Sequence, residues 1–407
     1  MNRILSFFWI LSAFTRVAAA ANNPDPGPMV FLCEPKDLSD ARERWLAHDP
    51  ASVEDVRNLL QRTDSALTDG PYTIVHKTHS LPGVDPHEYV SIAKYFWPNP
   101  ATPSGLPYIR RDGQSNPETG EYDYRPFGDM SNHVYVLAMA YYFTGDERYA
   151  DRATLLIRTW FLDPATRMNP DLQHAQLVKG VNDGRGTGII ESARLLNVMD
   201  AIGMLRGSKS WTDADQAGLE KWIFDYSRWM RESKNGLDEQ AATNNHGSWY
   251  DVQSTAFYLF LGDAAAARDV VESAKQHRVA VQIEPDGTQP LELARTNSFG
   301  YCSFNLCALT LLADLGKREH VDLWNYRTED GRSLRAAIDW MIPYATGEKA
   351  WTHQQISHFS FGRILTVFHR AEQAYPDSGY DKIIQQIQAK SPSENQSYLM
   401  QMFSPEE

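Results

Sequence analysis

The sequence predicts an all-α fold, a series of helical hairpins wound into an α/α toroid. Three observations predict it. Apolar residues recur at helical spacing in long segments, and two of these stop at a glycine and restart at an aspartate, at Gly145-Asp146 and Gly262-Asp263. A third run, "LTLLADLGKREHVDLW", is expected to break in the same way at Gly316. Strand signal is scarce and no strict repeat period is visible, so a closed ring of hairpins fits better than a tandem-repeat solenoid.

Taken in order, residues 1–21 read as a signal peptide. Arg3 precedes an apolar run over 4–14, and Val17-Ala18-Ala19-Ala20 offers small residues for cleavage near Ala20 or Ala21. A membrane anchor is disfavoured because the run is short and Arg16 interrupts it. No later segment is expected to reach transmembrane length, so no membrane partner is expected for the mature chain. Residues 22–407 are then read as one domain, long enough to bury a sizeable core.

Helices are expected over 40–47, 52–67, 130–143, 146–160, 189–205, 212–231, 333–344 and 359–374. The stretch "RVAVQIEPDGTQPLELART" offers the one β-like pair, around the turn Pro285-Asp286-Gly287. Residues 70–128 break the helical pattern. These 59 residues hold nine prolines with many aromatics, which predicts an ordered excursion walling a binding cleft.

Composition excludes some functions. A net charge of -13 argues against nucleic acid. An acidic substrate would need a local cluster of Arg, His and amide groups, because the overall balance does not supply one. Cys33, Cys302 and Cys307 are too few and scattered for a disulfide scaffold or zinc cluster and read as buried thiols. There is no HExxH, and His76 and His79 read as a chance pair, so no metal or other cofactor is expected. Asn395-Gln396-Ser397 is a glycosylation sequon only in a host that uses it.

Three stretches carry chemistry. In "NNHGSWYDVQ", a helix cap explains Asn244 or Asn245 but neither the second amide nor His246. In "LELARTNSFGYCSFN", Arg295 stands six residues before Tyr301, just after the expected turn. In "VKGVNDGRGTGIIESARLL", four glycines match no phosphate-loop pattern, yet Asn182, Arg185 and backbone N–H groups at a helix start suit a carboxylate. A carboxylate pair, Asp183 with Glu191 or Asp251, would suit a glycoside hydrolase instead.

The first two stretches, about fifty residues apart, together with "YFWPNPATPSGLPYIRRDGQSNPETG", resemble the alginate lyase superfamily of polysaccharide lyases, most closely polysaccharide lyase family thirty-eight. The resemblance spans roughly residues 89–344. It implies an incomplete α/α toroid and β-elimination of a uronic-acid polymer such as alginate or glucuronan. It places the catalytic Asn-His pair on Asn245 and His246, the arginine on Arg295 and the tyrosine on Tyr301, with Asn182 as a further amide near the substrate carboxylate.

The chemistry explains why these residue types occur together. A uronate C5–H is a poor acid because its carboxylate is already negative, so donors aimed at that carboxylate offset the developing charge. A base then removes the proton while an acid protonates the departing O4. Tyr301 is expected as acid, and as base too for syn elimination once Arg295 ionises it. His246 neutralises the carboxylate or serves as base for the anti case, and Asn245 with Arg295 binds the carboxylate. Arg185, Tyr95, Trp97, Tyr108 and Arg110 are candidates for sugar and carboxylate contacts. The rival expectations are a glycoside hydrolase on a similar toroid and a non-catalytic carbohydrate binder.

Overall fold

The computed structural model describes residues 27–390; the expected leader and the Asn395 sequon lie outside the described residues. The fold is 59% helix and 5% strand, which bears out the all-α class. Two helices, α1 (Pro35–Leu46) and α2 (Pro50–Ala66), come first, each with proline in its first turn, where the missing N–H costs nothing.

Residues 70–122 follow with little regular structure. They contain three short strands, β1 (Val90–Ile92), β2 (Phe96–Trp97) and β3 (Ile109–Arg110). β2 pairs antiparallel with β3, setting Phe96 opposite Arg110 and Trp97 opposite Ile109. The excursion ends sooner than expected, because α3 (Tyr124–Thr144) starts six residues before Met130. Pro126 does not prevent this, since it sits in the first turn.

α3 ends at Gly145, whose φ of 70° lets its N–H reach back to Tyr141 O, and Asp146 caps α4 (Glu147–Ile157). One π turn extends that helix to Leu162. β4 (His174–Leu177) pairs parallel with β1, and a 3₁₀ segment (Gly186–Arg194) leads into α5 (Leu195–Met204). A complete capping box between Thr212 and Asp215 starts α6 (Asp213–Glu232). Then come α7 (Lys234–Gln240), α8 (Asn245–Phe260) and α9 (Ala264–Ala274), with Gly262 and Asp263 making the expected stop and start.

Two expectations fail beyond this point. The β-like pair does not form: a π turn (Lys275–Val279) continues into α10 (Ala280–Gln282), Glu284 closes a tight turn on Thr288, and α11 (Pro290–Leu293) follows. Among the described residues no strand pairs with this stretch, and helical and turn hydrogen bonds satisfy its backbone locally. Nor does Gly316 stop its helix. α12 runs over Ser298–Arg318, and the chain reverses at His320 with φ 61°. Gly316 serves close packing instead, since a Cβ there would sit 2.7 Å from Val271 Cγ1 of α9.

The remaining helices are α13 (Leu334–Ala345), α14 (Gly362–Ala374) and α15 (Tyr380–Lys390). α8 and α12 lie side by side in the core and are buried on nearly every face, which explains their weak amphipathic pattern. α12 is in fact long and apolar enough to cross a membrane, contrary to the sequence expectation, but 83% of its apolar window is buried within the fold. The three cysteines are free and buried.

The first described residues are tied to this core by a buried carboxylate. Asp200 on α5 accepts the N–H groups of Phe31 at 2.6 Å and Leu32 at 3.1 Å, while Arg318 donates to the carbonyls of Val30 and Cys33. Burial pushes the Asp200 carboxyl up to about 7. An unfolded aspartate titrates near 3.9, so between about pH 4 and 7 the folded chain holds a proton that the unfolded chain has lost, and stability falls as pH rises through that window. Asp200→Asn is expected to melt lower, by about 1–3 kcal/mol for the disturbed Leu32 contact, but with a flatter decline across the window. Thermal melts over a pH series check this, and equal slopes in both proteins would remove Asp200 as the cause.

Candidate active site

The start of α8 is held from behind by Arg278. Its guanidinium pairs with buried Asp251 (2.8 and 3.1 Å) and donates to the carbonyls of Gln240 and Ala242, both at 2.8 Å. Gln282 donates to Asn244 O at 3.1 Å and accepts from Ser248 and Asn305, both at 2.9 Å. The turn that presents Asn244, Asn245 and His246 is thus fixed by hydrogen bonds from the core. Asn244 is the cap: its side chain accepts from His246 N–H at 3.3 Å. That leaves Asn245 and His246 for other work.

Each meets a buried glutamate that the sequence reading did not pick. Glu292 on α11 accepts from the Asn245 backbone N–H at 2.7 Å and from its Nδ2 at 2.9 and 2.8 Å. The carboxylate that faces the α8 N-terminus is therefore the protein's own, where the sequence suggested a ligand's. Asn245 itself is buried, so Glu292 fixes its amide from within the fold. Burial raises the Glu292 pKa, opposed by the Asn245 hydrogen bonds and by the charges of Arg295 and His246. Glu239 on α7, 1% exposed, sits 2.6 Å from His246 Nδ1. A carboxylate there favours a proton on Nδ1, which fixes the orientation of the imidazole.

Arg295 and Tyr301 meet directly, with the guanidinium carbon 3.6 Å from the centre of the phenol ring. Arg295 does not act on that ring as a bare charge. Asp112, from the excursion, accepts its Nε at 3.2 and 3.1 Å and its Nη2 at 2.8 Å. The Tyr301 hydroxyl donates to the Tyr95 hydroxyl at 2.8 Å. Burial holds the Tyr301 pKa far above that of an ordinary phenol, with Tyr95 adding to the rise and Arg295 pulling the other way. The expectation that Arg295 ionises Tyr301 is therefore corrected: its charge is shared with Asp112, and the phenol stays protonated.

The structure thus places Asn245 on Glu292 and Arg295 on Tyr301, with Glu292 within electrostatic reach of Arg295 and His246, Tyr95 on the phenol and Arg110 on Asp112 (2.8 Å). The other predicted residues hold partners of their own. The Asn182 side-chain Oδ1 accepts Val178 N–H at 3.0 Å, closing its own turn. Arg185 spends its donors on Gln176 O and Oε1 (3.0 and 2.9 Å) and lies over the Phe96 ring. The glycines near it serve backbone packing, as at Gly188, where a Cβ would lie 2.4 Å from Ala175 Cβ. Tyr108 donates to Glu118 at 2.8 Å beneath Lys179, and Trp97 donates to Gln114 O at 2.8 Å.

The hydrolase pair is also dismantled. Glu191 is buried, accepting Tyr89 and Ser91 hydroxyls at 2.8 and 2.7 Å, and Asp251 is committed to Arg278. A 340 Å³ cavity lined by Asp85, Glu88, Asp171, His174 and Trp229 shares no residue with the Tyr301 network, and its carboxylates disfavour an anionic sugar. Among the described residues no group of three or more His, Cys, Asp or Glu is placed to hold a metal ion. The missed glutamates carried some signal. Glu292 stands three residues before Arg295 within a stretch already singled out, and Glu239 stands seven before His246.

Comparison with known proteins now bears on this site. A family model described as Alginate lyase matches residues 74–351. The crystal structure of an alginate lyase from Bacteroides ovatus is 36% identical with a TM-score of 0.88, over 93% of this chain and 100% of that one. Alginate lyase A1-III from Sphingomonas species A1 shares the fold at 18% identity and a TM-score of 0.54, over 84% of this chain and 88% of its own. A variant of A1-III complexed with a tetrasaccharide aligns at 19% identity and a TM-score of 0.53, over 84% and 87%. No curated protein sequence matches.

Fold and comparisons together define a polysaccharide lyase. Within that class, the chain belongs to the alginate lyase family.

Proposed function

We propose that the protein is exported and cuts a uronic-acid polymer, alginate or glucuronan, by β-elimination, leaving a C4=C5 double bond on the new end. The single observation that carries this reading is the direct stacking of Arg295 on Tyr301, beside a Glu292 that holds Asn245 and lies within electrostatic reach of Arg295 and His246. Such a set suits an acidic sugar. The Asn245 amide and exposed Arg110 meet the carboxylate, and preorganised donors of this kind are worth about 10²–10³ each in rate.

His246, its ring oriented by Glu239, takes the C5 proton, and Glu239 stabilises the imidazolium that results. Tyr301, protonated in the resting enzyme, delivers its proton to O4 as the glycosidic bond breaks. This division favours His246 as base and Tyr301 as acid. The succession of antiparallel helical hairpins supports an incomplete α/α toroid, with 22–407 as one domain and the 70–128 excursion along its cleft. The leader pattern in residues 1–21 supports export.

A polymer panel tests the reading. Alginate, glucuronan and a neutral glucan are incubated with the protein, and ultraviolet absorbance of the unsaturated product is followed. Absorbance should grow with a uronate polymer and not with the glucan. Reducing ends without absorbance would indicate a hydrolase, and binding without either would indicate a non-catalytic binder.

A further inference from the structure

We infer that Asp112 is a positioning residue for the elimination, locking the Arg295 guanidinium over the Tyr301 ring so that the phenol serves as an acid. The inference rests on the reading of Tyr301 as the proton donor to O4. It begins with how fully Asp112 is enclosed. Besides the contacts to Arg295, its Oδ2 accepts the Thr296 N–H at 3.2 Å and the Thr296 hydroxyl at 3.1 Å, and its Oδ1 accepts Arg110 Nη2 at 2.8 Å. Arg295 and Asp112 are 15% and 17% exposed, so the pair is shielded from water, whereas Arg110 is 58% exposed.

The backbone is shaped to make this possible. Gly113 has φ 73°, and a Cβ there would lie 2.3 Å from Thr296 Oγ1. The excursion therefore crosses directly over the segment that carries Arg295, with only a glycine between them. That segment is held further by Ile356, whose N–H donates to Thr296 O at 3.0 Å.

Two consequences follow for the phenol. First, Nε and Nη2 of Arg295 are occupied by Asp112 while the guanidinium carbon lies 3.6 Å from the ring centre, so Arg295 is held back from swinging out to grip a substrate carboxylate. Second, the negative charge of Asp112 offsets the positive charge of Arg295 beside Tyr301. Burial opposes ionisation of Asp112, but hydrogen bonds from Arg295, Arg110 and Thr296 outweigh it and hold this carboxyl well below the usual carboxylate range, so the offset persists at every working pH. The charged and titratable groups around Tyr301 are Arg295 and Asp112, Tyr95 on its hydroxyl, and, beyond Arg295, Arg110, Glu292 and His246. Only Asp112 both touches Arg295 and carries the opposite charge on the excursion side.

Asp112→Asn tests this with little change of shape. Freed of its counter-charge, Arg295 should lower the Tyr301 pKa by about 1–3 units, the usual effect of an unbalanced neighbouring charge. The alkaline limb of the kcat/KM profile should therefore move to lower pH. kcat at neutral pH should drop on the order of tenfold, less than for loss of a direct donor, while KM stays level or falls. Asp112→Glu should recover part of the wild-type limb. A residue that merely anchors the loop would instead raise KM and lower Tm without moving the limb.

A readout independent of turnover separates this inference from the lyase reading. Tyrosinate absorbance is titrated in the wild-type and Asp112→Asn proteins, each against its Tyr301→Phe partner. A Tyr301 titration shifted down by Asp112→Asn supports the inference whatever the substrate proves to be. Superimposable titrations and pH profiles would overturn it. A wild-type protein with no unsaturated product on any uronate polymer would sink the lyase reading and leave the titration to judge Asp112.

Discussion

Tyr301→Phe is expected to lower turnover on a uronate polymer by about 10²–10⁴-fold, the range for loss of a positioned general acid. The substitution removes one oxygen and little else. The ring keeps its place under Arg295 and within α12, and the stranded partner, Tyr95, is only half-buried and can be hydrated. Stability should therefore change by about 1 kcal/mol or less, the net worth of one ordinary hydrogen bond. KM should change little, because the hydroxyl acts on the departing O4 and not on the carboxylate. Initial rates by product absorbance, beside a thermal melt, check both parts. Near-normal turnover in a folded Tyr301→Phe protein would take the phenol out of the mechanism.

Arg278→Ala is expected to have the largest effect on stability. Arg278 and Asp251 are 5% and 9% exposed, and removing the cation leaves Asp251 charged and unpaired in the core, which typically costs about 3–5 kcal/mol. Denaturant unfolding measures this loss. The double variant Arg278→Met/Asp251→Leu should recover much of it, because a buried ion pair can be replaced by packed apolar groups at little net cost. Activity should not return with stability. The carbonyls of Gln240 and Ala242 would still lack the donors that hold the turn before Asn245 and His246. If the double variant regained full turnover, the positioning role of Arg278 would be wrong and only its charge would matter.

Much of the helical framework was legible in the sequence because helix signals are local. The Gly145 stop, the Asp146 and Asp263 starts and the Asn244 cap each depend on hydrogen bonds within a few residues. Gly316 misled for the same reason, since a glycine needed for close approach of α12 to α9 looks identical to one that ends a helix. The apolar character of α8 and α12 likewise gave no face to assign, because both are buried all round.

The stretches that hold Asn245, His246, Arg295 and Tyr301 stood out in the chain, because a cap does not explain their excess of polar groups, and the family resemblance then picked the four positions. Their electrostatic state could not be read there. Asp112 lies 183 residues from Arg295, and the Asn245 to Glu292 contact spans 47. Ion pairs and desolvation depend on distance through space, which no local pattern encodes. Only the tertiary structure therefore decided that Arg295 is neutralised, that the α8 N-terminus faces the protein's own glutamate, and that Tyr301 keeps its proton.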